Sequence, residues 1–206
     1  GARRRGAIAK FSYNYVANLA KITGMDNILE KIKSIYRDDE DLRIRQVNCG
    51  IDLTVVCLDA ISDDVKVCNF ILQPLAYCNS VANLAEVQNK VISATTVKDV
   101  PTVFAAVEQL TNGYTLIFDG ANCIAVDTRT AVGRSIAEPP TSIVMRGPRE
   151  GFVEDAKSNV TLLRKRLKTP NFKTISVTVG KYTNTNCIVC YVDGVAVRSV
   201  VDSVVQ

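Results

Sequence analysis

Residues 146–168, RGPREGFVEDAKSNVTLLRKRLK, show the strictest local pattern in this 206-residue chain. Gly147 and Pro148 indicate a turn into a helix, because proline fits the first helical position, where its missing N–H would have no intrahelical partner. Pro170 is expected to end the helix. Apolar residues recur at spacings of three and four, which predicts one buried face on a helix of about four to five turns. The residues on that face are Val153, Ala156, Val160, Leu163 and Leu167.

The charged residues of this stretch have two interpretations. Acidic side chains come early in the helix and basic side chains late, which suits the helix dipole and predicts a solvated face. These residues are Glu154, Asp155, Arg164, Lys165, Arg166 and Lys168. The alternative is a contact between domains or subunits, since guanidinium groups bind carboxylates through paired hydrogen bonds. The candidates for that contact are Arg146, Pro148, Arg149 and Glu150 at the helix entrance, with Arg164 and Arg166 as secondary candidates.

The composition argues against an enzyme. The chain contains no histidine, which excludes histidine bases, histidine-activated nucleophiles and histidine metal ligands. No carboxylate pair or phosphate-binding glycine loop stands out. The net charge of +4 is a mild excess that does not by itself indicate nucleic acid. We therefore predict no catalytic residues, no cofactor, no metal site and no nucleic-acid partner.

The seven cysteines favour free thiols over disulfides. Their number is odd and most lie within apolar runs, as expected of buried thiols in a reducing compartment. Cys187 and Cys190 form a C-x-x-C within an apolar run that is typical of a strand. Positions three apart on a strand point to opposite faces, so this pair is not expected to bind metal.

The chain divides into a leader and two similar halves. Residues 1–22 combine a basic start with Phe11, Tyr15, Leu19 and Ile22 at helical spacing, a short helix expected to pack on the body. The acidic run 38–41 is expected to be a solvated loop. The order helix, strand, strand, helix then occurs twice, with 41–50 aligned to 171–180. This predicts an α/β (α+β) fold of two subdomains, 23–92 and 93–206, each a mixed sheet flanked by helices.

Several runs together resemble a known family. They are LIFDG (116–120), DTR (127–129), RSIAEP (134–139), RGPREGF (146–152) and YVDGVA (191–196), with LRIR (42–45), LD (58–59) and ILQPL (71–75) in the first half. The chain resembles the N-terminal domain of the A subunits of GerA-type spore germinant receptors. The resemblance covers nearly the whole chain beyond the leader.

The resemblance implies a non-catalytic domain that acts in assembly and signal transduction during spore germination. It implies membrane helices after residue 206 and partners among the B and C receptor subunits and other copies of the A subunit. It also implies a location at the spore inner membrane, with this domain facing the spore core. Two alternatives stay open: a small-molecule binding module that uses the cleft between the lobes, and nucleic-acid binding through the basic runs 3–5 and 164–168.

Overall fold

The computed structural model describes residues 28–78, 80–130 and 151–206. The first part of the fold consists of α1 (Ile28–Ile35), β1 (Leu42–Asn48), β2 (Asp52–Leu58), α2 (Asp64–Val67), α3 (Gln73–Tyr77), α4 (Leu84–Glu86), β3 (Val97–Asp99), α5 (Val103–Thr111), β4 (Thr115–Phe118) and β5 (Cys123–Val126). The second part consists of α6 (Ala156–Arg166), β6 (Phe172–Val179), β7 (Thr185–Val192) and α7 (Arg198–Val205). The predicted class, helices packed on sheets, is confirmed.

Five strands form the central sheet, in the order β1-β2-β4-β5-β3. All eight residues of β4 and β5 are buried, because helices cover both faces of the sheet. One face packs Leu116 against Ile32 of α1 and Leu110 of α5. On the other face, Ile117 packs against Leu75 of α3 and against the helical segment that begins with α4. The result is one hydrophobic core on each side of the sheet.

Two apolar runs flank residues 119–122, DGAN, and this pattern predicts a hairpin, which the structure confirms. Phe118 pairs with Cys123, and the Asp119 carboxylate accepts hydrogen bonds from the backbone N–H groups of Ala121 and Asn122 at 3.0 and 2.7 Å. Gly120 has a φ of +95°, a conformation that glycine adopts without steric cost. The turn chemistry visible in the sequence therefore sets the register of these two strands.

Two details of the predicted architecture differ from the structure. Every strand pair in the described residues is antiparallel, whereas mixed sheets were expected. The predicted division between residues 92 and 93 also falls within one sheet, because β4 pairs with β2. The first unit thus extends from residue 28 to 130, and the second unit from 151 to 206. A hairpin pattern shows which strands are neighbours in sequence but not which sheet they join.

The second unit repeats the beginning of the first. Each contains a helix, an antiparallel hairpin and a further helix in that order, as the sequence predicts. Ile32 and Leu162 are both buried at the same spacing before the hairpin, and Val67 and Val201 are both buried at the same spacing after it. The internal likeness is therefore one of packing as well as of element order.

The helical segment that follows β2 continues through Pro74, a residue that the sequence leads one to expect near its end. A π-helical segment, Cys68–Leu72, leads directly into α3, and Pro74 lies within the first turn of α3. Proline has no backbone N–H and so cannot donate a helical hydrogen bond. The helix tolerates it here because the π turn before it has already changed which carbonyls accept hydrogen bonds. Within the described part of the chain, no helix combines the length and hydropathy needed to cross a bilayer.

Candidate functional site

Of the predicted contact residues, only Arg164 and Arg166 lie in the described residues. Arg146, Pro148, Arg149 and Glu150 lie outside them, so their role stays a prediction. The helix itself is shorter than predicted: it begins at Ala156, after an N-cap by Asp155, and ends at Arg166. Asp155 accepts a hydrogen bond from the Ser158 N–H at 2.8 Å, which satisfies one of the unpaired donors of the first turn.

The predicted basic face of this helix is wrong at Arg164. Its side chain is 3 % exposed, whereas Arg166 is exposed. Conversely, Leu167 and Val153, which were predicted to be inward, are exposed, and Leu162 is buried instead. The spacing of apolar residues predicts the wrong buried face for this helix, because the charged side chain of Arg164 is part of the face that is buried.

Arg164 binds two buried carboxylates of the first unit. Its Nη2 donates to both carboxylate oxygens of Asp39 at 2.8 Å, and its Nε lies 2.5 Å from Oδ2 of Asp41. The side chains of Asp39 and Asp41 are 0 % and 7 % exposed. The Nε–Oδ2 contact is an ion pair without hydrogen-bond alignment, since neither atom has a hydrogen-bond partner. We call these three residues the junction cluster.

Neighbouring backbone and side chains complete the junction cluster. Asp39 also accepts a hydrogen bond from the Thr174 hydroxyl at 2.9 Å, and Asp41 accepts one from the Ala60 N–H at 2.8 Å. A second buried cation, Lys173, donates to the carbonyl of Ile35. Arg164 thus pairs with both buried carboxylates, and the buried Lys173 ammonium is satisfied by a backbone carbonyl.

The acidic run 38–41 was predicted to be a solvated loop, and that prediction is wrong for Asp39 and Asp41, which are buried, whereas Asp38 and Glu40 are exposed. All four residues contact the second unit. Besides Asp39 and Asp41, the Asp38 carboxylate lies 3.5 Å from Arg198, and Glu40 accepts a hydrogen bond from the Ser176 N–H at 2.7 Å. The Glu40 N–H also donates to the carbonyl of Thr174 at 3.1 Å. The only signal for this contact in the sequence is the complementary basic run at 164–168.

Further polar contacts between the units surround the junction cluster. Lys157 lies 3.2 Å from Asp59 and 2.9 Å from Asp64, and the Thr161 hydroxyl donates to the carbonyl of Ala60 at 2.5 Å. The lysine is partly exposed, so its ion pairs contribute little to stability. The junction therefore depends chiefly on the buried groups.

Burial raises the pKa of Asp41 above its ordinary value of 3.8, and the nearby Arg164 opposes that shift. The pKa of the Lys173 ammonium is lowered by burial, against the attraction of Asp39. Both directions show that removal from water outweighs the attraction of the opposite charges at these two groups. Burial therefore disfavours the charged state of both groups, and the nearby opposite charges offset that cost only in part.

The raised pKa of Asp41 predicts a defined pH dependence. The folded state binds a proton at Asp41 more readily than the unfolded state, so this carboxyl group contributes stability at low pH that is lost as pH rises through the folded pKa. We expect the free energy of unfolding of the wild-type protein, relative to Asp41→Asn, to fall as pH rises from about 4. Urea unfolding across that range measures it.

Asp155→Asn is the matched control for this prediction. Hydrogen bonds from Ser158 lower the pKa of Asp155, so the stability it contributes is lost as pH falls, which is the opposite sign. A pH-independent difference between wild type and Asp41→Asn would contradict the assignment of the raised pKa to Asp41.

The C-x-x-C pair behaves as the strand prediction requires. Cys187 is exposed and Cys190 is half-buried within β7, and all seven cysteines are free. In the described residues no cluster of three or more metal-ligating side chains occurs. The geometry as a whole is that of a two-unit α/β domain whose units are joined by a buried ion cluster.

Comparison with known proteins places this domain in a family. The sequence model of the Bacillus/Clostridium GerA spore germination protein family matches residues 30–206. The chain therefore belongs to the GerA spore germination protein family, as the resemblance of its motifs predicts.

The curated relatives are much longer than this chain. Spore germination protein KA of Bacillus subtilis (strain 168) is 29 % identical in an alignment 189 residues long that covers 87 % of this chain and 35 % of that protein. Spore germination protein A1 of the same organism is 26 % identical over 192 residues, 92 % of this chain and 31 % of that protein. The chain thus spans about a third of the length of these relatives.

A solved structure shares the fold. It is the N-terminal domain of the A subunit of the Bacillus megaterium spore germinant receptor GerK3, with a TM-score of 0.59 and 20 % sequence identity. The match covers 85 % of this chain and 67 % of that one. The likeness supports the arrangement of helices and strands described above.

Proposed function

We propose that this chain is the N-terminal domain of the A subunit of a nutrient germinant receptor and that it acts, without catalysis, in assembly and signal transduction. Membership of the GerA family supports the receptor assignment. The observation that carries the transducing role is the junction cluster, in which Arg164 of the second unit binds Asp39 and Asp41 of the first.

A buried ion cluster suits a transmitting domain better than an apolar interface does. A guanidinium that leaves its two carboxylates exposes three unpaired charges to a poorly solvating interior, a cost that comes on top of any lost packing. One relative placement of the units is therefore strongly favoured. A displacement applied to one unit is passed to the other as a rigid movement.

The proposed partners follow from the family. We propose contacts with the B and C receptor subunits and with other A subunits, through Arg146, Pro148, Arg149 and Glu150, and with a membrane region following residue 206. The proposed location is the spore inner membrane, with this domain facing the spore core. The curated relatives extend well beyond the matched region, which leaves room for such a membrane region in the full-length protein.

Arg149→Ala tests the proposed contact surface. We expect the variant to abolish nutrient-triggered germination while leaving the isolated domain folded, because an interface arginine binds a partner and not its own core. Germination is followed in spores that carry the variant in the full-length receptor subunit, and folding by circular dichroism and thermal unfolding of the domain.

The matched control for Arg149→Ala is Arg45→Ala, which removes an exposed arginine from β1. It is expected to leave germination unchanged. Unfolding of the Arg149→Ala domain would give Arg149 a structural role instead, and normal germination would remove it from the proposed contact.

Small-molecule binding is the second candidate function. The sequence suggested the cleft between the lobes, and the junction cluster lies at that boundary. The observation that favours binding lies elsewhere, in a polar cavity of about 480 Å³ in the first unit. Lys66, Thr95, Thr96 and Arg129 line it. A rise in melting temperature with amino acids, sugars or nucleotides would favour this function.

A further inference from the structure

Three segments of the first unit enclose the polar cavity of about 480 Å³. They are the helical stretch that begins with α2, the loop before β3 and the residues that follow β5. The Asp127 N–H donates to the carbonyl of Thr96 at 3.0 Å, and the Thr130 N–H donates to the carbonyl of Ile61 at 3.0 Å. These backbone hydrogen bonds hold the segments together, so the cavity is formed before a ligand binds. Its lining residues in the described part of the chain all belong to the first unit, from Lys66 to Thr130.

Two cations and one carboxylate line the cavity, and the carboxylate is already bound by one of the cations. Arg129 donates through Nε and Nη2 to the two carboxylate oxygens of Asp127, at 2.9 and 2.6 Å. The hydrogen bond from Arg129 lowers the pKa of Asp127, so this carboxyl group stays charged at neutral pH. The pairing orients the guanidinium and leaves its Nη1 group outside the pair.

The second cation, Lys66, is held by a neutral group. Its ammonium donates to the backbone carbonyl of Arg129 at 2.8 Å. An ammonium carries three N–H donors, so one such bond positions Lys66 without cancelling its charge. Thr95 and Thr96 also line the cavity and carry hydroxyl groups that can donate hydrogen bonds. The lining therefore offers positioned positive charge together with neutral donors.

Further positive charge lies beside the cavity. The Lys98 ammonium and the Arg129 guanidinium both pack on the ring of Tyr114, at 4.7 and 5.1 Å from its centroid. From the second unit, Lys165 donates to the carbonyl of the lining residue Thr130 at 3.1 Å. Cations that gather around a concave surface create a potential that attracts anions.

We propose that this cavity binds a phosphate group, carried by a soluble metabolite or by a lipid headgroup, with Lys66 and Arg129 as its cationic contacts. The inference rests on the second candidate function, small-molecule binding in the first unit, and adds the class of ligand. A phosphate monoester carries nearly two negative charges and three acceptor oxygens, which suits two cations and hydroxyl donors better than a single carboxylate does. Because both cations are already held in place, little side-chain entropy is lost on binding.

Calorimetry of the 206-residue chain with glycerol 3-phosphate tests the ligand class, and glycerol is the uncharged comparison. We expect glycerol 3-phosphate to bind and glycerol not to bind. Lys66→Gln is expected to weaken the binding at least about tenfold, because it removes a charged donor. Lys181→Gln is the matched control, since it removes the same charge from the exposed hairpin between β6 and β7. It is expected to leave the affinity unchanged.

Asp127→Asn separates a change in the site from a loss of the fold. It removes a negative charge beside the bound anion, so we expect glycerol 3-phosphate to bind about threefold tighter. A damaged fold does not produce tighter binding. Retention of the chain on vesicles of phosphatidylcholine and phosphatidylglycerol, lost in Lys66→Gln, would assign the phosphate to a lipid headgroup.

Equal affinities of Lys66→Gln and Lys181→Gln overturn the inference, and so does binding of glycerol as tight as that of glycerol 3-phosphate. If uncharged sugars raise the melting temperature and phosphate-bearing probes do not, small-molecule binding stands and the ligand class is wrong. If neither kind of probe binds, the second candidate function is wrong as well.

Discussion

Arg164→Ala is expected to lower the free energy of unfolding by about 3–5 kcal/mol, because it leaves the buried carboxylates of Asp39 and Asp41 without their cation. The arginine is 3 % exposed, so water cannot replace it at the cluster. Urea unfolding of the wild-type and variant domains, monitored by circular dichroism, measures the loss. The effect should appear as a lower midpoint at nearly constant m-value.

Arg166→Ala is the matched control for Arg164→Ala. It removes an arginine two positions along the same helix whose side chain is exposed, and a change within about 0.5 kcal/mol is expected. Asp39→Asn combined with Arg164→Ala should cost less than the two single changes added together, since both remove the same interaction. Equal effects of Arg164→Ala and Arg166→Ala would contradict a structural junction at Arg164.

Gly113→Ala is expected to lower the free energy of unfolding by about 2–4 kcal/mol, through a left-handed backbone and a steric clash. Gly113 has a φ of +87°, and a Cβ placed there would lie 2.7 Å from the carbonyl oxygen of Ile61. That oxygen belongs to the backbone and also accepts a hydrogen bond from the Thr130 N–H, so it cannot move aside freely. Thermal and urea unfolding measure the loss.

Gly120→Ala separates the two causes. Gly120 has a similar φ of +95°, but a Cβ there would meet nothing within 4 Å. Only the backbone cost of about 1–2 kcal/mol is therefore expected. The difference between the two variants measures the clash with Ile61. If Gly120→Ala were as destabilising as Gly113→Ala, the close approach to Ile61 would not contribute.

The candidate site could be predicted from the sequence only in part. The stretch 146–168 contains Arg164, but helical periodicity assigns that residue to the solvated face. Its partner Asp39 lies 125 residues earlier in the chain, in a run that a local interpretation assigns to a loop. Charges so far apart in sequence come together only if the two units pack against each other. A local sequence pattern does not predict such packing.

The sequence by itself determined the local elements and their repetition. The turn chemistry of Asp119 and Gly120 and the repeated order of helix and strand are properties of short segments, and each appears in the structure. The tertiary structure alone decided which strands share a sheet and that the acidic run 38–41 is an interface. Strand pairing across the sheet and the burial of Arg164 depend on contacts between residues far apart in sequence. These contacts stabilise the protein only when the whole domain has folded and excluded water from them.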